Sequence, residues 1–149
     1  MAQVYLDYNC FQRSFDDMRQ TRIFLEAISC QSIFKMAEDH KIDLIWSFMH
    51  QDESILCPFP DRKIEAFKLS QLCRIKVKPS EDIRMKAIEY QKKASLSTND
   101  AIHLASAVSS ASDFFITCDD ELIKRSGRLN LSIKIMNPVD YYRGVIRNE

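Results

Sequence analysis

Short apolar runs alternate along this chain with longer segments of helical period, and the two patterns predict different elements. Five runs read as strands: residues 3–7, 43–46 (Asp43-Leu44-Ile45-Trp46), 74–78, 113–117 and 132–136. Residues 20–39 place Ile23, Phe24, Ala27, Ile28, Ile33, Phe34 and Ala37 at three- and four-residue steps, one apolar stripe on a helix. Ser47 to Leu56 reads as a second helix, stopped by Pro58-Phe59-Pro60, and Asp61 to Leu72 as a third carrying Ile64, Phe67, Leu69 and Leu72. Ser80-Glu81-Asp82-Ile83 opens a fourth, with acidic residues in its first turn and Lys92-Lys93 in its last, as the helix dipole favours. Helices over 98–111 and 120–125 follow, and Asn137-Pro138 starts a final one, since proline is tolerated at the first helical position.

Strands alternating with helices predict an α/β fold of three layers: a mainly parallel central sheet with helices on both faces. Without a repeat, a low-complexity tract or a linker, residues 1–149 read as a single domain. The Met residues and Trp46 are expected in its core.

Composition narrows the function more than the fold. The net charge is zero and the pI near 6.8, so no overall basic field draws in nucleic acid, although a cation in an acidic cleft would change the local sign. The only glycines, Gly127 and Gly144, lie late, which excludes a glycine-rich loop for nucleotide phosphates. Cys10, Cys30, Cys57, Cys73 and Cys118 are odd in number, scattered and without a C-x-x-C, so they are expected as reduced, mostly buried thiols, neither a disulfide frame nor a zinc site. No apolar run reaches the roughly 18 residues of a membrane span and no signal peptide opens the chain, so a soluble cytoplasmic protein is expected.

The candidate chemistry is acidic. Asp7 ends the first predicted strand in Val4-Tyr5-Leu6-Asp7-Tyr8-Asn9, and Asp119-Asp120 follow the fourth after Thr117. Asp100 lies in the first turn of the helix opened by Ser97-Thr98-Asn99, and Glu53 sits on the helix after the second strand. In open α/β sheets ligands bind outside the carboxyl ends of the strands, the rim to which these residues are assigned. Each has a plainer reading. Ser97-x-x-Asp100 and Thr117-x-x-Asp120 fit capping boxes, Asp119 fits an N-cap, Asp7 a turn, and Glu53 a solvated helix face. Electrostatics separates the two readings. Carboxylates ~5 Å apart at an effective dielectric near 20 repel by roughly 3 kcal/mol, whereas a cap returns about 1 kcal/mol. Four acids that converge therefore call for a divalent ion or raised pKa values. An all-oxygen donor set suits Mg²⁺ or Mn²⁺, ions suited to phosphoryl chemistry.

These residues resemble the PIN domain family, especially its VapC-like ribonuclease toxins, over nearly the whole chain. The motifs are Leu6-Asp7-Tyr8-Asn9, Ser47 to Glu53, Asp100-Ala101-Ile102-His103-Leu104-Ala105-Ser106-Ala107, and Phe115-Ile116-Thr117-Cys118-Asp119. The last two together are fairly specific. The resemblance implies a three-layer PIN-like fold and Mg²⁺- or Mn²⁺-dependent hydrolysis of RNA. It makes Asp7, Glu53, Asp100 and Asp119 the catalytic, metal-binding carboxylates, Asp120 an outer metal-binding member, and Asn9 and Thr117 the residues that orient them. It also implies an antitoxin protein that holds the enzyme inactive, and a homodimer. Within the polar segment Met49-His50-Gln51-Asp52-Glu53, either Asp52 or Glu53 can face the cleft. His103, one turn beyond Asp100, fits a structural hydrogen bond beneath the site better than a catalytic base, and His40 and His50 stand in no such pattern. Arg62-Lys63, Arg74-Lys76-Lys78 and Lys124-Arg125 are candidate phosphate contacts, though most charge runs are solvated faces. Two further functions remain open: a catalytically silent PIN-like interaction domain, and a metal-dependent DNA nuclease or phosphatase on the same scaffold.

Overall fold

The computed structural model describes residues 1–146. Its centre is a five-stranded, wholly parallel sheet of β1 (Ala2–Leu6), β2 (Ile42–Ser47), β3 (Ile75–Val77), β4 (Phe114–Ile116) and β5 (Lys134–Met136), in the order β3-β2-β1-β4-β5. All five lie within a few residues of the runs that the apolar pattern marks, because a parallel strand covered on both faces must be apolar nearly throughout.

Among the described residues, eight α-helices cover the sheet: α1 (Tyr8–Gln12), α2 (Thr21–Glu38), α3 (Phe48–Leu56), α4 (Pro60–Ser70), α5 (Glu81–Ala94), α6 (Thr98–Ser109), α7 (Asp120–Ser126) and α8 (Pro138–Tyr141). Successive strand side chains point to opposite faces, and β1 shows how this builds two cores. Val4 and Leu6 join Leu44, Trp46 and Ile116 under Phe11, Ile33, Phe34 and Ala37 of α1 and α2. Tyr5 joins Ile45 and Phe115 under Ile83, Ala87, Leu104 and Leu122 of α5, α6 and α7. The architecture is the three-layer one expected.

Three details depart from the sequence expectations. Helix α1 is unforeseen, since five residues are too few to show a period. Helix α2 is rolled about its axis. Its buried face runs through Glu26, Ala27, Cys30, Ile33, Phe34 and Ala37, while Phe24 and Ile28 of the expected stripe are exposed. Fully buried Glu26 sets this roll, because it accepts from Arg13, Arg22 and Asn137. Trp46, Met36 and Met49 are core, but Met1, Met18 and Met85 face solvent. With two glycines in the chain, His40, Ser95, Ala111 and Asn130 take the left-handed turns after helices that glycine usually supplies. Among the described residues, no helix is long and apolar enough to cross a membrane.

Candidate active site at the β1/β4 switch point

With β2 and β3 on one side of β1 and β4 and β5 on the other, chain direction across the sheet reverses between β1 and β4, the place where parallel sheets open a crevice. Asp7 leaves the end of β1 there, its backbone N–H donating to Ile116 O of β4 at 2.8 Å. Its carboxylate is buried. Oδ2 accepts from Thr117 Oγ1 at 2.7 Å and from Asn9 Nδ2 at 3.2 Å. Asn9 also donates to Thr117 Oγ1 and accepts the Cys118 N–H, so one amide locks the loops after β1 and β4 together. Burial pushes the Asp7 carboxyl up to about 6; His103 and Thr117 oppose the rise, and the charges of Asp100 and Glu53 add to it.

Asp100 faces the same crevice from the first turn of α6, where its own N–H donates to the Ser97 hydroxyl at 3.2 Å. Burial raises its pKa, Asp119 and Glu53 add to the rise, and Ser97 and His103 counter it. Asp119 is half-buried and caps α7, with Oδ1 accepting from Glu121 N and Leu122 N at 3.0 and 3.2 Å. The Thr117-x-x-Asp120 box is therefore absent: Asp119 is the cap, and the Thr117 hydroxyl serves Asp7 instead. Asp120 is exposed and forms a two-pronged pair with exposed Arg22 at 2.6 and 2.7 Å.

Glu53, not Asp52, turns inward. Asp52 is exposed, whereas Glu53 accepts a short hydrogen bond from His103 Nε2. Behind it runs a buried polar chain across the upper core. His103 Nδ1 meets the Tyr5 hydroxyl at 2.6 Å, and that hydroxyl meets Ser47 Oγ at 2.7 Å. His50 Nδ1 accepts the Ser47 N–H at 2.9 Å, and its Nε2 donates to Leu6 O at 2.6 Å. The carbonyl of Leu6 can only accept, which fixes the His50 proton on Nε2. Burial holds His50 well below the usual histidine range, so it is a neutral spacer. His103 is thus the structural partner beneath the site that its position suggests, and it orients Glu53. The sequence pattern assigns His50 and Tyr5 no such role. The Ser47-x-x-His50 spacing was the available sign, since it forms a reciprocal capping box at the start of α3.

The structure thus brings the charges of Asp100 and Glu53 to bear on Asp7 and those of Asp119 and Glu53 on Asp100, and it pairs Asp120 with Arg22. The acids are not packed tightly. Among the described residues, the set of three or more potential ligands whose donor atoms all lie within 4.8 Å of one another is Cys10, Cys30 and Cys118. Three of the five thiols scattered along the sequence are therefore gathered by the fold. An open arrangement of four oxygen donors fits Mg²⁺ or Mn²⁺, because Mg²⁺ keeps several waters and usually takes only one or two carboxylates directly. Both hydrogen bonds to Asp7 fall on Oδ2, which leaves Oδ1 for a cation.

The model of the PIN domain family matches residues 54–128. Among solved structures, a chain of VapBC2 from Rickettsia felis, bound to a DNA fragment from the promoter of that pair, matches with a TM-score of 0.58 at 10% identity, covering 91% of this chain and 98% of that one. PAE2754 from Pyrobaculum aerophilum matches with a TM-score of 0.45 at 13% identity, over 83% and 86%. No curated protein matches the chain.

Proposed function

The chain belongs to the PIN domain family, whose members are in general nucleases using divalent metal ions, and from that premise we propose that it is a Mg²⁺- or Mn²⁺-dependent endoribonuclease, the toxin of a toxin–antitoxin pair. The observation that carries this reading is the meeting of Asp7, Glu53, Asp100 and Asp119 at the switch point, around a carboxyl pushed up to about 6. Caps alone do not call for that desolvation and mutual repulsion. Asp7, Glu53, Asp100 and Asp119 would hold a divalent ion, which would supply Lewis-acid polarisation of a phosphodiester and activation of water near neutral pH. The protein's part is positional. Thr117 and Asn9 hold the Asp7 carboxylate by one oxygen, His103 holds Glu53, and the cap on α7 holds Asp119.

Residues 1–149 act in this reading as one PIN-like unit in the cytoplasm. The antitoxin is the partner we assign to the exposed apolar side chains Ile55, Leu56, Phe59, Ile64 and Phe67 on α3, α4 and their connection. The likeness in fold to a chain of VapBC2 supports a partner of that class, and the surface is assigned from the exposure of these side chains alone. Homodimerisation is a further part of the proposal.

The test is incubation of the purified chain with labelled single-stranded RNA and DNA in Mg²⁺ or Mn²⁺. RNA cleavage that stops with chelator and with Asp7→Asn supports the reading. Cleavage of DNA alone transfers the site to a DNA nuclease. A second reading, a silent PIN-like interaction domain, is favoured by the cap that Asp119 gives α7. It predicts that neither nucleic acid is cut and that neither ion raises the melting temperature, since only a ligand of the folded state does so.

A further inference from the structure

Below the acidic crevice, on the opposite face of β1 from Tyr5, three thiols from distant parts of the chain meet. Cys10 comes from α1, Cys30 from the middle of α2, and Cys118 from the loop after β4. All three are free and buried, and their sulfurs lie within 4.8 Å of one another. The other two thiols, Cys57 and Cys73, lie outside the cluster. We propose that Cys10, Cys30 and Cys118 form a three-thiolate site for a soft metal ion of the Zn²⁺ or Cu⁺ class, separate from the carboxylate site.

Isolated buried cysteines are ordinary small core residues, but a shared focus of three is a ligand geometry. Thiolates bound at ~2.3 Å to one ion stand roughly 3.8–4.0 Å apart, so closing around it takes shifts of under about 1 Å per pair. Soft sulfur donors select Zn²⁺ and Cu⁺ over Mg²⁺ and Mn²⁺, so the two sites do not compete for one ion. An approach exists. A cavity of about 290 Å³ reaches both Cys10 and Cys30, with Lys35, Glu38 and Glu65 also in its lining. Each bound thiol releases its proton to solvent, leaving three thiolates around a divalent ion with a net charge of −1. The Arg13 guanidinium near Cys118 is paired with the carboxylates of Asp16 and Glu26, and the buried Glu26 charge itself acts on Cys118 and Cys30, so these charges largely cancel at the sulfurs. Cys10 follows Asn9 and Cys118 divides Thr117 from Asp119, so an ion held by the sulfurs fastens both rim loops to α2.

The experiment uses the full, reduced chain in excess Mg²⁺, titrated with Zn²⁺ or with Cd²⁺ as a spectroscopic stand-in. The expected result is one ion per chain, a thiolate-to-cadmium charge-transfer band, and a first shell of about three sulfurs at ~2.3 Å for Zn²⁺ by X-ray absorption. Cys30→Ala, remote in sequence from the rim, weakens binding by more than the roughly 10- to 100-fold that loss of an outer partner costs. Cys57→Ala and Cys73→Ala leave binding unchanged. The absorption measurement on the unaltered chain decides the matter even where Cys30→Ala fails to fold. No stoichiometric ion, a first shell of oxygen and nitrogen, or equal binding by folded Cys30→Ala overturns the proposal.

Discussion

Around the ends of β1 and β4 gather two sets of possible metal ligands that differ in almost every physical respect. The carboxylates Asp7, Asp100, Asp119 and Glu53 spread around the crevice, where burial first and their mutual charge second raise the pKa values of Asp7 and Asp100, and they owe their order to neighbours: Thr117, Asn9, His103 and the N-terminus of α7. The thiols Cys10, Cys30 and Cys118 sit buried within 4.8 Å of one another. Charge explains the contrast. Ionised acids repel and keep apart until a cation and its waters fill the space between them, whereas neutral thiols pack together as small apolar groups do. A loose acidic site thus remains open to substrate, and a tight sulfur site is closed to it.

The largest expected effect breaks the acidic half of this contrast. Asp7→Asn should lower metal-dependent RNA cleavage by at least about 100-fold, the scale of losing one preorganised electrostatic group, as read from initial rates. The same substitution should alter stability. Because the Asp7 carboxyl moves from 3.8 up to about 6 on folding, the metal-free fold binds that proton more tightly than the unfolded chain does. The resulting stability is complete below pH 3.8 and lost as pH rises through about 6, a change of about 3 kcal/mol. Urea unfolding across that window should show the decline in the parent and its absence in Asp7→Asn. An unchanged slope would mean that Asp7 is not the desolvated carboxyl.

His103→Gln comes next. It leaves the carboxylates in place but removes the ring that orients Glu53, so Mn²⁺ affinity by calorimetry should fall roughly 10- to 100-fold. Tyr5→Phe is smaller: it strips one hydroxyl from between His103 and Ser47 and should cost about 1–3 kcal/mol of stability by urea unfolding, because buried partners lose a hydrogen bond. The smallest effect sharpens the boundary of the site. Asp120→Ala breaks only an exposed pair with Arg22 and should leave both cleavage and the melting curve at parent values. A large loss of cleavage there would restore Asp120 to the acidic set.

Much of this was legible along the chain. The strands, most of the helices and the rim positions of Asp7, Asp100 and Asp119 follow from apolar period and from the rule that parallel strands end at a common edge. Glu53 was legible to within one residue. The roll of α2 was not, because Glu26 pairs with Arg13, Arg22 and Asn137 and so turns a charged residue inward where hydrophobicity alone would turn it out. Nor was the Tyr5–Ser47–His50–His103 chain, whose members come from β1, the end of β2, α3 and α6. The pairing of Asp120 with Arg22 was hidden for a related reason: the two stand 98 residues apart in sequence.

The amino-acid order by itself determined the alternation of strand and helix, the acids at strand and helix ends, and the lack of a phosphate-cradling glycine loop, since each depends on neighbours within a turn or two. Only the tertiary structure decided which polar groups share a proton, which carboxylate is desolvated and which sulfurs meet. Those outcomes depend on distances between residues that sequence separation does not encode, and burial and Coulomb energies act through distance alone.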